Sequence, residues 1–220
     1  MKFPKKTVRD VPIEGKTVLM RADFNVPFET DGTIADDSRI RQALPTIEFL
    51  LERKCRVVLC AHLGRPEGRV NSAFTLEPIA KRLRELLSER VTFIASTFGD
   101  GVKQAVKRLE PGEVMLLENL RFYAGEEEND PKFARLIQES VNADYFVQDG
   151  FGVVHRAHAS TSAITHLLPS VSGLLLEREW LQIEGSLQRP KRPFIAVMGG
   201  AKISDKIRII ERFIELADTV

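Results

Sequence analysis

Residues 56–64, RVVLCAHLG, form a continuous apolar run rich in valine and leucine that ends at a glycine. A short run of this composition is typical of a strand that is buried on both faces of a parallel sheet. The apolar residues of the preceding segment, 38–53, fall on one helical face: Ile40, Leu44, Ile47 and Leu51. A helix that leads into a fully buried strand is the basic repeat of an α/β fold.

The same alternation of apolar runs and helical segments continues along the chain. Further strands are predicted at 17–20, 91–96, 114–120 and 145–151. Further helices are predicted at 76–89, with Thr75 as the N-cap, at 100–109, and from Pro131 onward. Pro45 lies inside the first helix and is expected to bend it or to lie near its first turn. The pattern predicts a doubly wound α/β sheet, mostly parallel, with helices on both faces.

The chain is expected to hold one complete domain and part of a second. Residues 1–172 are predicted to form the α/β domain, and 173–189 to form a helix and hinge that lead into the proline-punctuated joint PKRP. Residues 190–220 then predict a strand at 194–200 and a helix at 204–217. Because a lone βα unit cannot bury its own apolar faces, we expect these residues to open a domain that is incomplete in this chain.

Composition and charge exclude several classes of protein. Lys and Arg (32) nearly balance Asp and Glu (31), and aromatic residues make up 7% of the chain, so we expect no nucleic-acid partner. No segment approaches the run of roughly 20 apolar residues that a membrane span requires, and the N-terminus lacks the apolar stretch of a signal peptide. The two cysteines, Cys55 and Cys60, are interpreted as reduced, buried thiols. These features predict a cytoplasmic protein with no membrane partner.

Polar side chains follow four of the predicted strands at the point where each strand ends. In chain order they are Arg21, Asp23, Asn25, His62, Arg65, Glu118, Asn119, Arg121, Asp149, His155, Arg156 and His158. Arg39 begins the helix after the first strand, so it can face the same edge. Because clustered arginines repel one another, and because a guanidinium binds phosphate or carboxylate through two donors, this edge predicts a site for a small, multiply charged anion. The alternative is a structural network in which the arginines pair with Asp23, Glu118 and Asp149.

The histidines carry weaker signals than the arginines. His62 follows a strand and precedes a Gly-Arg pair, which favours a hydrogen bond to a ligand. His155 and His158 are each open to a structural role, and His166 lies in an apolar stretch that favours one. Two histidines three residues apart, without further ligands, do not predict a zinc site.

A second candidate site is the segment GGAKISDK at 199–206, between an apolar run and a helix. Its glycines would let the backbone approach a phosphate, and the helix N-terminus would supply N–H donors. Lys202 and Lys206 would add two positive charges. The segment fits neither GxxxxGK[ST] nor GxGxxG, so a glycine-rich turn with surface lysines remains the alternative, and a nucleotide-dependent dehydrogenase is excluded.

Six motifs together resemble those of the phosphoglycerate kinases. They are RADFNVP (21–27), DDSRIRQALPTI (36–47), HLGRP (62–66), LLENLRFYAGEEEND (116–130), DGFGVVHRAHAST (149–161) and GGAKISDKI (199–207). Their order and approximate spacing are similar to that family from about residue 7 to the last residue.

The resemblance implies two Rossmann-like domains, the first holding 3-phosphoglycerate or 1,3-bisphosphoglycerate and the second holding Mg2+ with ATP or ADP. The residues that it implies for the phosphoglycerate are Asp23, Phe24, Asn25, Arg39, His62, Leu63, Gly64, Arg65, Arg121 and Arg156. Those that it implies for the nucleotide are Gly200, Ala201, Lys202 and Lys206. Arg39 and Lys202 would be catalytic, because both would lie against the transferring phosphoryl group. The Asp that accompanies Mg2+ is expected outside this chain, and a full-length family member is expected to be a monomer.

The chain also departs from the family pattern. The family usually has Asn-Asp-Ala-Phe-Gly followed by smaller residues, where this chain has Gln148, Gly150, Val153 and Val154. These changes are expected to alter the wall near Arg156. Because the family's nucleotide domain is longer than residues 190–220, this chain by itself is expected not to turn over. The alternative function is a non-catalytic module that binds phosphoglycerate.

Overall fold

The computed structural model describes residues 2–88, 90–188, 190–199 and 207–220. The chain divides into two compact units. The first unit is Pro4–Glu177, and the second comprises the described residues of Arg178–Val220 together with Lys2 and Phe3. None of the described helices is long and apolar enough to cross a lipid bilayer.

The first unit is built on a six-stranded sheet in the order β3-β4-β2-β1-β5-β6, and all of its pairings are parallel. The strands are β1 Thr17–Arg21, β2 Arg56–Cys60, β3 Val91–Ile94, β4 Val114–Leu117, β5 Tyr145–Gln148 and β6 Ser170–Ser172. The α-helices that begin in this unit are α1 Ser38–Glu52, α2 Glu77–Leu87, α3 Asp100–Arg108, α4 Ala124–Glu127, α5 Pro131–Val141 and α6 Leu174–Gln188. The predicted fold class is therefore confirmed, although the three-residue strand β6 was not predicted.

Helices cover both faces of the sheet because successive strand residues point to opposite sides. Val18 and Met20 of β1 pack with the apolar faces of α1 and α2 in one buried cluster. Leu19, between them, joins a second cluster with α3 and α5 on the other face. Both cysteines are unpaired and buried, as predicted. Burial raises the pKa of Cys55 to about 11 and that of Cys60 to about 12.

The direction in which the chain adds strands reverses at β1, which pairs with β2 on one side and β5 on the other. In open α/β sheets a crevice forms at such a reversal, outside the carboxyl ends of the strands. The loops after β1, β2, β4 and β5 all begin at this edge. These are the loops that carry the polar residues singled out in the sequence.

The N-cap predicted for α2 is wrong by one residue. The helix begins at Glu77 with Leu76 at the N-cap. The Thr75 hydroxyl accepts the N–H of Glu77 at 3.3 Å and donates to Glu118 Oε2 at 2.7 Å, while Glu118 Oε1 accepts the N–H of Leu76 at 2.9 Å. A carboxylate from the end of β4 therefore accepts a backbone N–H at the start of this helix. Because the two residues are distant in sequence, the local pattern does not reveal this contact.

The second unit differs in part from its prediction. The strand expected at 194–200 is reduced, over the described residues, to a single parallel bridge between Ile195 and Thr219. A strand is stable only beside a hydrogen-bonded neighbour, and here only 218–219 provide one, through Asp218 N–H to Phe194 O and Ala196 N–H to Thr219 O, both 2.8 Å. The helix α7 spans Ile207–Leu216, and the predicted positions 204–206 lie outside the described residues.

Candidate functional site

Asp23 and Arg39 form an ion pair at the carboxyl end of β1. Arg39 Nη1 donates to Asp23 Oδ2, and the N–H of Asn25 donates to Asp23 Oδ1 at 3.2 Å. Asp23 is buried, whereas nearly half of the Arg39 side chain is exposed. Gly152 lies against this pair so closely that a Cβ there would overlap Asp23 Oδ2. The pair therefore joins the loop after β1 to the segment after β5, and leaves one face of Arg39 open.

The HLGRP loop after β2 is held by two other site residues. Gly64 has a φ of +60°, and its N–H donates to Asn25 Oδ1 at 2.8 Å. Its carbonyl accepts from Arg121 Nη1 at 2.7 Å. A Cβ at this glycine would overlap the ring of Phe74, and its backbone conformation disfavours any side chain. Three strand ends are thus connected through one glycine backbone.

The remaining residues expected at the phosphoglycerate site differ in exposure. The side chains of Phe24 and Leu63 are buried in the core, so these positions can offer a ligand only their main chain. Arg65 is exposed, and within the described part of the chain no hydrogen bond or ion pair holds its guanidinium group.

His62, Arg121 and Arg156 form a basic cluster at this edge. Burial lowers the pKa of the His62 ring, and the nearby charges of Arg121 and Arg156 lower it further. Arg121 Nη2 contacts Glu127 Oε1 at 3.2 Å, but the Nε atoms of Arg121 and Arg156 are buried without a hydrogen-bond partner among the described residues. Burial lowers the pKa of Arg121, and the Arg156 charge lowers it further. An acceptor bound between these guanidinium groups would satisfy donors that are costly to leave unpaired.

Arg21, which the sequence placed among the arginines of the ligand edge, points into the protein instead. Its exposed fraction is 1%, and it donates to Ser160 Oγ at 2.8 Å and to the carbonyl of Ala22. Its Nη2 lies 3.1 Å from His62 Nδ1 and 4.0 Å from Glu126 Oε1. The side chain of Arg21 follows the strand alternation and lies on the same face as Leu19. The guanidinium group that is open to a ligand near the end of β1 is therefore that of Arg39.

The alternative, a structural network of arginines with Asp23, Glu118 and Asp149, is seen in the ion pair of Asp23. Asp23 pairs with Arg39, whereas Glu118 accepts backbone N–H groups of Leu76 and Asn119 at 2.9 and 2.7 Å. Asp149 accepts from the N–H groups at the start of α6, at 2.9 Å from Leu175 and 3.3 Å from Leu176. Strand-end carboxylates are used here at helix N-termini, where the partial positive charge attracts them.

A further buried acid, Glu126, lies 4.0 Å from Arg21 Nη2, and the sequence pattern did not distinguish it. It is fully buried, and accepts from Ser160 through its N–H at 3.0 Å and its hydroxyl at 2.5 Å. Its Oε1 also lies 3.9 Å from His158 Nδ1. In the run GEEEND nothing distinguishes it from Glu127 and Glu128, which are both exposed.

His62 is a neutral hydrogen-bond donor in this structure. Burial, reinforced by the charges of Arg21 and Arg121, holds its pKa far below the ordinary value. A guanidinium group has no acceptor atom, so Nδ1 must accept from Arg21 and the proton must lie on Nε2. His158 is also buried and its pKa is lowered by burial, whereas His155 and His166 are exposed.

This buried, neutral histidine makes stability depend on pH. The unfolded chain takes up a proton on His62 below its ordinary pKa of 6.5, whereas the folded chain does not, so the free energy of unfolding falls as the pH drops. Between pH 6.5 and 5 we expect His62→Gln to reduce this slope by about 0.7 kcal/mol per pH unit at the upper end and by about 1.3 at the lower end, measured by urea denaturation. His166→Gln, at an exposed position, is the control. Equal slopes in the wild type and both variants would show that His62 takes up its proton in the folded state.

The departures in the β5 segment fit one another. A Cβ at Gly150 would lie 2.9 Å from Val153 Cγ2, so glycine at this position makes room for the larger valine. Gln148 Oε1 accepts the Gly150 N–H at 3.0 Å, while its buried Nε2 has no hydrogen-bond partner among the described residues. Val154 is 40% exposed. Gly150 thus accommodates Val153, and the effect of these departures on the wall near Arg156 stays a prediction.

The second candidate site falls largely outside the described residues. Gly199 is described, but Gly200, Ala201, Lys202 and Lys206 are not. In the described ranges, no group of three or more His, Cys, Asp or Glu side chains is placed to hold a metal ion.

Comparisons with known proteins agree with one another. The family model of phosphoglycerate kinase matches residues 8–220. The phosphoglycerate kinase of Desulforudis audaxviator (strain MP104C) is 53% identical over 214 residues, which are 97% of this chain and 54% of that protein. That of Akkermansia muciniphila is 50% identical over 216 residues, 98% of this chain and 53% of that protein.

Solved structures give the same result. The phosphoglycerate kinase of Coxiella burnetii superimposes with a TM-score of 0.82 at 36% identity, covering 98% of this chain and 53% of that one. The enzyme from Pyrococcus horikoshii OT3 gives a TM-score of 0.85 at 34% identity, covering 97% and 55%. The chain spans about half the length of the relatives that it matches.

Proposed function

The chain belongs to the phosphoglycerate kinase family, and from this premise we propose that its first unit binds 3-phosphoglycerate in a reversible phosphoryl transfer. In the whole protein, the transfer would run between ATP and the carboxylate of 3-phosphoglycerate, and would give 1,3-bisphosphoglycerate and ADP. Because the chain spans about half of its relatives, we assign the complete reaction to the whole protein.

The observation that carries this proposal is the pair of buried Nε–H groups of Arg121 and Arg156, which have no hydrogen-bond partner among the described residues. They lie in one cluster with the Nε2–H of a neutral His62. Donors of this kind, together with the open guanidinium groups of Arg39 and Arg65, suit an anion with a phosphate and a carboxylate. Phosphoryl transfer depends mainly on positioning and on stabilisation of charge, which such a site supplies.

The roles of individual residues follow from the motifs that they occupy. We assign the phosphoglycerate to Asp23, Asn25, Arg39, His62, Arg65, Arg121 and Arg156, with main-chain contacts from Phe24, Leu63 and Gly64. Arg39 and Lys202 would lie against the transferring phosphoryl group, and Gly200, Ala201 and Lys206 would contact the nucleotide. Mg2+ would arrive bound to that nucleotide.

The same proposal extends to domain organisation and location. Residues 1–172 would form the phosphoglycerate domain, 173–189 the connecting helix and hinge, and 190–220 the beginning of the nucleotide domain. Family membership also leads us to propose that the protein acts in the cytoplasm.

Calorimetric titration with 3-phosphoglycerate tests the site directly. We expect saturable binding that weakens as salt is raised, because part of the attraction is between partly exposed charges. Arg65→Ala should weaken binding by about 10- to 100-fold, the loss of a charge-assisted contact worth roughly 1.5–3 kcal/mol.

The matched control is Arg108→Ala. Arg108 is an exposed arginine in the last turn of α3, and this helix leads back to the amino edge of the sheet. The substitution Arg108→Ala should leave the affinity for 3-phosphoglycerate unchanged. Equal losses of affinity in both variants would show that Arg65 acts only through the net charge of the protein. Absence of binding by the folded wild type would refute the proposed site.

A further inference from the structure

Arg21 lies at the centre of a buried cluster that the proposed function does not use. Its Nε donates to Ser160 Oγ at 2.8 Å, and the same hydroxyl donates to Glu126 Oε1 at 2.5 Å. The N–H of Ser160 fixes the other carboxylate oxygen of Glu126 at 3.0 Å. The exposed fractions are 1% for Arg21, 0% for Glu126 and 2% for Ser160. The guanidinium group is therefore held in one orientation, out of contact with solvent.

One end of this guanidinium group reaches the proposed ligand site. Arg21 Nη2 lies 3.1 Å from His62 Nδ1, and the same atom lies 4.0 Å from Glu126 Oε1. A single arginine therefore contacts both a buried carboxylate and the histidine of the basic cluster. Arg21 itself is too deeply buried to touch a ligand.

From these contacts we propose that Arg21, held by Glu126 and Ser160, is a positioning residue that fixes His62 as an Nε2–H donor toward the bound anion. This inference rests on the proposed function for the identity of the anion. The protonation and tautomer inferred for His62 are independent of the proposed function. A guanidinium group can only donate, so the contact at Nδ1 selects one of the two neutral tautomers and also fixes the plane of the ring.

The charges around His62 act in the same direction. Arg21 faces it from β1, Arg121 from the loop after β4, and Arg156 and His158 from the segment after β5, and each lowers its pKa. Glu126 Oε1 lies 4.0 Å from the Arg21 Nη2 that contacts His62, and 3.9 Å from His158 Nδ1. A neutral donor avoids adding another positive charge to the basic cluster before the ligand arrives.

The first test is a direct observation of His62 in the wild-type protein. The chain has four histidines, so ring 15N resonances can be assigned with single His→Gln variants. We expect His62 to show the Nε2–H tautomer from pH 5 to 8. An Nδ1–H tautomer, or a ring that becomes cationic within this range, would overturn the inference whether or not the protein binds phosphoglycerate.

The second test removes the contact without leaving a buried charge unpaired. In Arg21→Met combined with Glu126→Gln, both partners become neutral side chains of similar size, which buried ion pairs commonly tolerate. We expect affinity for 3-phosphoglycerate to fall by about tenfold at pH 8. The ring 15N spectrum of His62 should then show both neutral tautomers, because no donor selects Nδ1 as the acceptor. Adding His62→Gln to this variant should cost less affinity than the same substitution costs in the wild type, since Nε2–H is no longer fixed toward the anion.

Two controls separate positioning from general damage. Arg212→Met combined with Glu215→Gln removes an exposed ion pair of the same residue types, 2.7 Å apart on α7, and should leave affinity unchanged. Circular dichroism checks that each variant is folded. Additive losses from the double variant and from His62→Gln, with an unchanged His62 spectrum, would show that Arg21 has only a structural role.

Discussion

Glu126→Ala is expected to lower the free energy of unfolding by about 3–5 kcal/mol, because it leaves the buried guanidinium group of Arg21 without its counter-charge. The substitution also removes both acceptors of Ser160. A loss of this size is a large part of the 5–15 kcal/mol that is typical of a domain. Urea denaturation followed by circular dichroism measures it as a shift in the midpoint.

The control for this prediction lies two residues away. Glu128 belongs to the same acidic run but is exposed, so Glu128→Ala should change stability by no more than about 0.5 kcal/mol. If Glu126→Ala cost less than about 1 kcal/mol, the buried arginine would have to find another partner or water, and the cluster around it would be a minor source of stability.

Gly173→Ala is expected to lower the free energy of unfolding by about 2–4 kcal/mol, since it combines overpacking with the loss of charge-assisted hydrogen bonds. A Cβ at this position would overlap Asp149 Oδ1 and lie 2.8 Å from Asp149 Cβ. The carboxylate would have to leave the N–H groups of Leu175 and Leu176, which it accepts at 2.9 and 3.3 Å. Thermal and urea denaturation should both report the loss.

The same substitution within α6 should have the opposite sign. No heavy atom lies within 4 Å of a Cβ built at Gly185, so Gly185→Ala should raise stability by up to about 1 kcal/mol through helix propensity. Midpoints that shift equally in the two variants would mean that Asp149 moves aside without loss, and that its contacts to α6 contribute little.

The fold was predictable because its strands are continuous apolar runs and its helices have clear apolar faces. β6 escaped prediction since three residues are too few to show a period, and it is stabilised by Phe146, Val147 and Gln148 of β5. The strand expected at 194–200 failed for the opposite reason, because an apolar run forms a strand only where a neighbour is available. The local apolar pattern therefore located most strands and helices, but it did not reveal which segments pair with one another.

The ligand edge was predictable in outline but not in the direction of each side chain. That polar residues gather there follows from parallel strands ending at one edge. Whether an arginine faces a ligand or the core depends on strand alternation and on one buried acid, so Arg21 was misplaced and Glu126 was missed. The match between Gly150 and Val153 depends on a contact of 2.9 Å and has no signature in sequence.

The placement of β1 between β2 and β5 has a consequence for synthesis on the ribosome. One neighbour, β2, follows soon in the chain. The other, β5, comes much later: Thr17 and Asp144, which are hydrogen-bonded at the start of this pair of strands, are 127 residues apart in sequence. At about 5–20 residues per second, the ribosome delivers β5 roughly 6–25 s after β1. Throughout that interval the nascent sheet has an open, apolar edge and Arg21 lacks Ser160, while Glu126 is synthesised only late in it. The central strand of the finished protein is thus an exposed edge of the nascent one, and exposed apolar edges favour aggregation.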